Sequence, residues 1–126
     1  MYNIGYDIGS SSVKAAIIEV KTGKQITVTH EPEGEMGMIS PENSWAEQDP
    51  ELWWKLVCLA TKKLLEQTGI DSKKINGIGI AYQMHGLVVV DRNGAPLRNA
   101  IIWCDSRAVA IGNEAFKALG TKKCKE

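Results

Sequence analysis

The sequence lacks an excess of either charge: Lys plus Arg and Asp plus Glu each number 15. Nucleic acid and acidic membrane surfaces select a basic surplus, so neither is an expected partner. No apolar run approaches the ~20 residues that span a bilayer. The opening residues, Met1 to Asp7, have no basic region and no apolar stretch, so no secretory signal is expected. Cysteine is sparse and odd in number: Cys58, Cys104 and Cys124, without CxxC spacing. That excludes a disulfide framework and fits reduced thiols in a cytoplasmic setting. There is no internal repeat and no low-complexity segment. No Gly-Lys-Ser/Thr follows a glycine-rich turn, and no Gly-x-Gly-x-x-Gly opens a helix. What remains is a chain of 126 residues, enough for one domain with a real core.

The chain is organised around Tyr6-Asp7-Ile8-Gly9-Ser10-Ser11-Ser12-Val13-Lys14. Before it, Ile4, Tyr6 and Ile8 alternate with Asn3, Gly5 and Asp7, the period of a strand. After it, Val13 to Val20 reads as a second, largely buried strand. The tight turn between them holds one glycine and three hydroxyls. Its backbone N–H groups suit an anion. Ser10, Ser11 and Ser12 add O–H donors, and Lys14 adds a point charge. Asp7 would repel a bare phosphate yet welcome one that arrives with Mg²⁺. The competing reading is a plain hairpin turn.

Lys21 to Lys24 forms a turn into a third strand, Gln25 to Glu31, which completes an antiparallel meander. Pro32 to Ser44 reads as a surface loop and the most mobile segment. Asp49 as N-cap and Pro50 at the first helical position start a helix to about Gln67, with Gly69 as its C-cap. Trp53, Leu56, Val57, Ala60 and Leu64 share its apolar face. Ile75 to Tyr82 is a strand, most simply parallel to an earlier one. Gly86 to Asp91 reads as a further strand before an Asn93-Gly94 turn. Ala100 to Trp103 reads as a short strand. A helix is expected from Ser106 to a cap at Gly120, followed by a polar tail from Thr121.

Tyr82-Gln83-Met84-His85-Gly86 stands at a strand end, where α/β sheets gather functional groups. Gln83 and His85 suit hydroxyl groups, and Met84 suits a pocket wall; alternatively His85 satisfies a local backbone group. Asp105 caps the following helix, and Arg107 pairs with Asp105 or with a ligand. Trp103 walls a sugar site or belongs to the core. Trp45, Trp53 and Trp54 are expected to pack around the first helix. Cys104 has no base nearby in sequence.

Together these segments resemble the FGGY carbohydrate kinases, and within them the xylulokinase branch. The stretch from Tyr6 to Lys14 resembles the family's first phosphate motif, and Trp45 to Trp54 its lead into the first helix. Gln83-Met84-His85-Gly86 resembles the ketopentose motif, where glycerol kinases carry an Arg-Glu pair. Leu97 to Arg107 resembles the strand and turn that follow. Serines replace a commoner Gly-Thr in the phosphate turn, and Cys104 replaces a common Asn.

The resemblance implies a ribonuclease-H-like α/β fold, as in actin and hexokinase, with a mixed sheet, a three-strand meander and flanking helices. It implies ATP-dependent phosphorylation of D-xylulose to its 5-phosphate, with ATP and Mg²⁺ as cofactors. Asp7 would help hold Mg²⁺; Gly9, Ser10, Ser11, Ser12 and Lys14 would sit near the transferred phosphate. Met84, His85, Trp103 and Asp105 would lie at the sugar. Residues 1–126 would form an incomplete N-terminal domain, without the adenine-binding second domain. The family's catalytic base is an aspartate beyond residue 126, so no turnover is expected of this chain alone. Alternatives are another ketose such as ribulose, a stand-alone sugar-binding or regulatory module, and an ATPase of the actin and chaperone type. The face left open toward a second domain could support self-association.

Overall fold

A computed structural model describes residues 1–124. Three strands form the meander: β1 (Tyr2–Ile8), β2 (Val13–Glu19) and β3 (Gln25–Glu31). Helix α1 (Pro50–Thr68) follows a two-residue strand, β4 (Glu47–Gln48). A single 3₁₀ turn (Ser72–Lys74) leads to β5 (Ile75–Tyr82), then β6 (Ala100–Ile101) and α2 (Val109–Lys123). The main sheet runs β3-β2-β1-β5, antiparallel except for the parallel pair β1 and β5; β4 and β6 pair apart from it.

Alternation in the strands decides the core. Ile4 and Tyr6 of β1 and Val13, Ala15 and Ile17 of β2 are buried on one face. Against them lie Leu56, Ala60 and Leu64, one stripe of α1 at helical spacing. The helix is bounded as its sequence indicates. The Asp49 carboxylate accepts from the Glu51 N–H at 2.9 Å, and Gly69 closes the end at φ 65°. Tyr6 ties sheet to helix through a 2.6 Å hydroxyl–hydroxyl bond to Thr61.

Several segments depart from the sequence expectation. Gly86 to Asp91 forms no strand; it makes isolated bridges, Leu87 with Ile101 and Val90 with Pro96. An apolar run becomes a strand only where a neighbour extends alongside it, and here Val88, Val89 and Val90 stay exposed. The Asn93-Gly94 turn does form, with Gly94 at φ 85° and Asp91 Oδ1 accepting from the Asn93 and Ala95 N–H groups. The strand expected at Ala100 to Trp103 stops at Ile101: the Ile102 N–H still donates to the Ala46 carbonyl, but the Ala46 N–H turns to Asp105 Oδ2 and the Ile102 carbonyl accepts from the Asp105 N–H instead. Helix α2 begins at Val109 rather than Ser106, whose N–H and hydroxyl both donate to the Ser44 carbonyl. Gly120 breaks its helical path at φ 79°, yet helical turns resume to Lys123, so the polar tail is in part helical. The last two residues of that tail, Lys125 and Glu126, lie outside the described residues.

Trp54 is 65% exposed rather than packed. The loop from Pro32 is fastened at two points: Met36, itself buried, donates its N–H to the Ser11 carbonyl at 2.7 Å, and Ile39 bridges Glu47.

Candidate functional site

Because β1 and β5 run parallel, their carboxyl ends, Ile8 and Tyr82, lie side by side. The serine turn leaves one and the Gln83–Gly86 strap leaves the other, and the Gln83 N–H donates to the Ile8 carbonyl at 3.0 Å. Open α/β sheets hold ligands at such carboxyl ends.

The turn is held by its carbonyls. Ser12 C=O accepts from Gly9 N–H at 3.0 Å, and Ser11 C=O accepts from Met36. Ser10 C=O accepts from Gln48 Nε2 at 2.6 Å. Turning carbonyls toward protein donors orients the turn's amide dipoles away from them, as an anion site requires. At Gly9 a Cβ would lie 3.2 Å from the Ser12 oxygen, so a side chain there would crowd the closure. Gln48 is 1% exposed and also accepts from Trp53 Nε1, which braces the turn against α1. Nothing local in the sequence marks Gln48 for this part.

Lys14 Nζ stands 3.7 Å from Asp7 Oδ2, with both side chains more than half exposed. Register places Asp7, Lys14 and His30 in one row across three strands. Ser10 Oγ accepts from Trp103 Nε1 at 3.1 Å, so Trp103 adjoins the serine turn.

Just after Trp103 in the chain, Asp105 and Arg107 join Glu47 in a charged cluster. Asp105 Oδ2 accepts from the Ala46 N–H at 2.7 Å and from Arg107 Nη2 at 2.8 Å; Oδ1 accepts from the Arg107 N–H. Arg107 Nη2 also donates to Glu47 Oε1 at 2.7 Å, which Arg98 approaches as well. The Arg107 guanidinium stacks over Trp45, 3.8 Å from the ring centre. That guanidinium lowers the Asp105 pKa from 3.8 to about 2 and holds Glu47 below its usual 4.5. With its side chain 3% exposed and both oxygens engaged, Asp105 faces the protein; it does not cap α2, which begins later. The pairing with Arg107 follows from adjacency in sequence, whereas Glu47 carries no sequence signal.

His85 sits at φ 60°, a left-handed conformation uncommon for a histidine. It borders a cleft of about 350 Å³ with Ile8, Trp53, Tyr82, Gln83 and Gly86. Neither Met84, 59% exposed, nor Trp103 lines that cleft. The structure thus joins His85 to Gln83, and Trp103 to Ser10, without gathering all four. Both amide atoms of Gln83, Nε2 and Oε1, are buried and without a partner among the described residues.

Among the described residues no group of three or more His, Cys, Asp or Glu side chains could hold a metal ion. Asp7 fits Mg²⁺ in the one mode a single carboxylate allows, a cation arriving with phosphate oxygens and water. The three cysteines are free, exposed thiols. No described helix is long and apolar enough to cross a membrane.

The meander, the parallel fourth strand and the turn between β1 and β2 define a ribonuclease-H-like α/β domain, the fold of actin and hexokinase. The chain belongs to the FGGY family of carbohydrate kinases; residues 2–126 match the model of that family's N-terminal domain. It is 37% identical over 105 residues to the xylulose kinase of Staphylococcus epidermidis, covering 82% of this chain and 20% of that protein. To the L-xylulose/3-keto-L-gulonate kinase of Escherichia coli it is 36% identical, covering 87% of this chain and 21% of that one. The solved xylulose kinase of Rhodospirillum rubrum superposes with a TM-score of 0.85 at 25% identity, over 97% of this chain and 24% of the other. The chain therefore spans about a fifth of the length of the curated relatives it matches.

Proposed function

We propose that this chain supplies the phosphate side and part of the sugar side of a kinase that moves the terminal phosphate of ATP to a ketopentose, D-xylulose, giving the 5-phosphate. The observation that carries this reading is the convergence of the serine turn and the Gln83–Gly86 strap at adjoining strand ends.

In it, the amides and hydroxyls of Ser10, Ser11 and Ser12 and the Lys14 ammonium hold the transferred phosphate, with Gly9 beside it closing the turn through its own N–H. Phosphoryl transfer is mostly positioning and charge stabilisation, so these groups would act before and during the displacement. Asp7 provides a hard oxygen for Mg²⁺, which when bound neutralises phosphate charge. Met84 and His85 contact the sugar, and Trp103 covers its apolar edge near the phosphate turn. Asp105 acts one step removed, by fixing the turn that carries Trp103. Residues 1–126 form one incomplete domain in this proposal; the acceptor's base and the adenine site come from outside it, and this chain alone has no turnover. The relative that acts on L-xylulose and 3-keto-L-gulonate favours a ketose but leaves its stereochemistry as the second reading.

Calorimetric titration of D-xylulose and D-ribulose into the chain tests this, with His85→Ala as the comparison. Xylulose binding that His85→Ala abolishes supports it; equal binding by the variant removes His85 from the site. Sugar-dependent ATP hydrolysis by the chain alone would refute its incompleteness.

A further inference from the structure

Three backbone carbonyls of the serine turn are each taken by a different donor. Ser12 C=O is held by the turn's own Gly9 N–H, and Ser11 C=O by the Met36 N–H. Ser10 C=O is held by a side chain, Gln48 Nε2, at 2.6 Å. Across a trans peptide the C=O and the N–H that follows it point in opposite directions. The Ser10–Ser11 peptide is trans, so the bond that draws the Ser10 oxygen toward buried Gln48 turns the Ser11 N–H away from it. By the same rule Met36 aims the Ser12 N–H. The N–H groups of Ser10, Ser11 and Ser12 meet no acceptor among the described residues.

The Gln48 amide is fully committed. Nε2 also donates to the Gly37 carbonyl at 3.2 Å, and Oε1 accepts from Trp53 Nε1 at 3.1 Å. An indole N–H only donates and a carbonyl only accepts, so one orientation of the amide satisfies all three partners. Burial keeps water from competing for these bonds and strengthens each of them. Every group in the arrangement comes from residues 9–53 of this chain, packed against one another.

Building on the proposed function, in which the serine amides hold the transferred phosphate, we propose that Gln48 is the positioning residue for those amides. It fixes the Ser10–Ser11 peptide so that the Ser11 N–H faces the phosphate. Without the Gln48 amide that peptide is free to rotate, and one hydrogen bond to a charged acceptor is lost. Of the three donors that hold the turn, only this one is a side chain, so a substitution can remove it and leave the backbone bonds in place.

Nuclear magnetic resonance of the ¹⁵N-labelled chain tests this. Without ligand, the Gln48 Nε2 protons should exchange with solvent far more slowly than those of exposed Gln25, a measurement that needs no variant. Titration with inorganic phosphate in the presence of Mg²⁺ should shift the Ser11 and Ser12 amide signals of the wild type together. Gln48→Met, close in size but unable to make the three bonds, should bind phosphate about tenfold more weakly. At saturation it should lose the Ser11 shift and keep the Ser12 shift. Gln48→Glu keeps an acceptor for Trp53 but sets a carboxylate against two carbonyls; it should lose the Ser11 shift with the Trp53 indole signal unchanged. A merely structural role would loosen the whole turn, and equal losses at Ser11 and Ser12 would overturn the proposal. So would wild-type affinity with a full Ser11 shift in either variant, or Gln48 protons that exchange as fast as those of Gln25. A wild type whose serine amides ignore phosphate would instead remove the phosphate site itself, and the role of Gln48 with it.

Discussion

Replacing Gln83 by methionine should make this protein more stable. The Gln83 amide is buried at both Nε2 and Oε1 and meets no partner among the described residues. A buried polar group left unpaired costs about 1–3 kcal/mol. Methionine has nearly the same length, carries no hydrogen-bonding demand and adapts to irregular space. The backbone bond from Gln83 N–H to the Ile8 carbonyl does not depend on the side chain. The expected gain is thus about 1–2 kcal/mol, or roughly 3–10 °C in Tm for a domain of this size. Thermal unfolding followed by circular dichroism at neutral pH measures it directly. Gln83 borders the cleft beside His85, so under the proposed function the same variant binds ketose more weakly; stability up with binding down is the pattern of a functional residue. A fall in Tm would refute the reasoning, since it would mean that the amide has a structural partner.

Two further outcomes follow from the core and the charged cluster. Leu64→Ala, at a side chain with 0% exposure beneath the sheet, should cost about 2–5 kcal/mol, read as a lower urea midpoint. Asp105, lowered from 3.8 to about 2, and Glu47, lowered from 4.5, are both depressed by Arg107. Depressed carboxyls add stability that is complete above their unfolded values and lost as pH falls through the folded ones. Tm should therefore drop as pH falls from about 4.5 toward 2, and Asp105→Asn should flatten that dependence while lowering Tm at neutral pH. An unchanged pH profile in Asp105→Asn would separate Asp105 from the acid transition.

Much of the fold was legible because it is written locally. The alternation of Ile4, Tyr6 and Ile8 fixes which side of β1 is buried. Asp49, Pro50 and Gly69 bound α1 through dihedral preferences and cap bonds that reach only two to four residues. The tight turn between β1 and β2 was legible for the same reason, since Asp7 through Lys14 are neighbours in sequence. The valine run from Val88 to Val90 misled because hydrophobicity alone does not provide the partner that a strand requires.

The sequence by itself determined the meander, the first helix and the order of the motifs. Only the tertiary structure decided that Trp103, 93 residues away, would touch Ser10, and that Glu47 would share Arg107 with Asp105. It also decided that β1 and β5 would run side by side and that the Gln83 amide would be buried without a partner among the described residues. Local conformation depends on near neighbours, which the sequence names. Burial, pairing and edge position depend on what arrives from elsewhere in the chain, which only folding brings together.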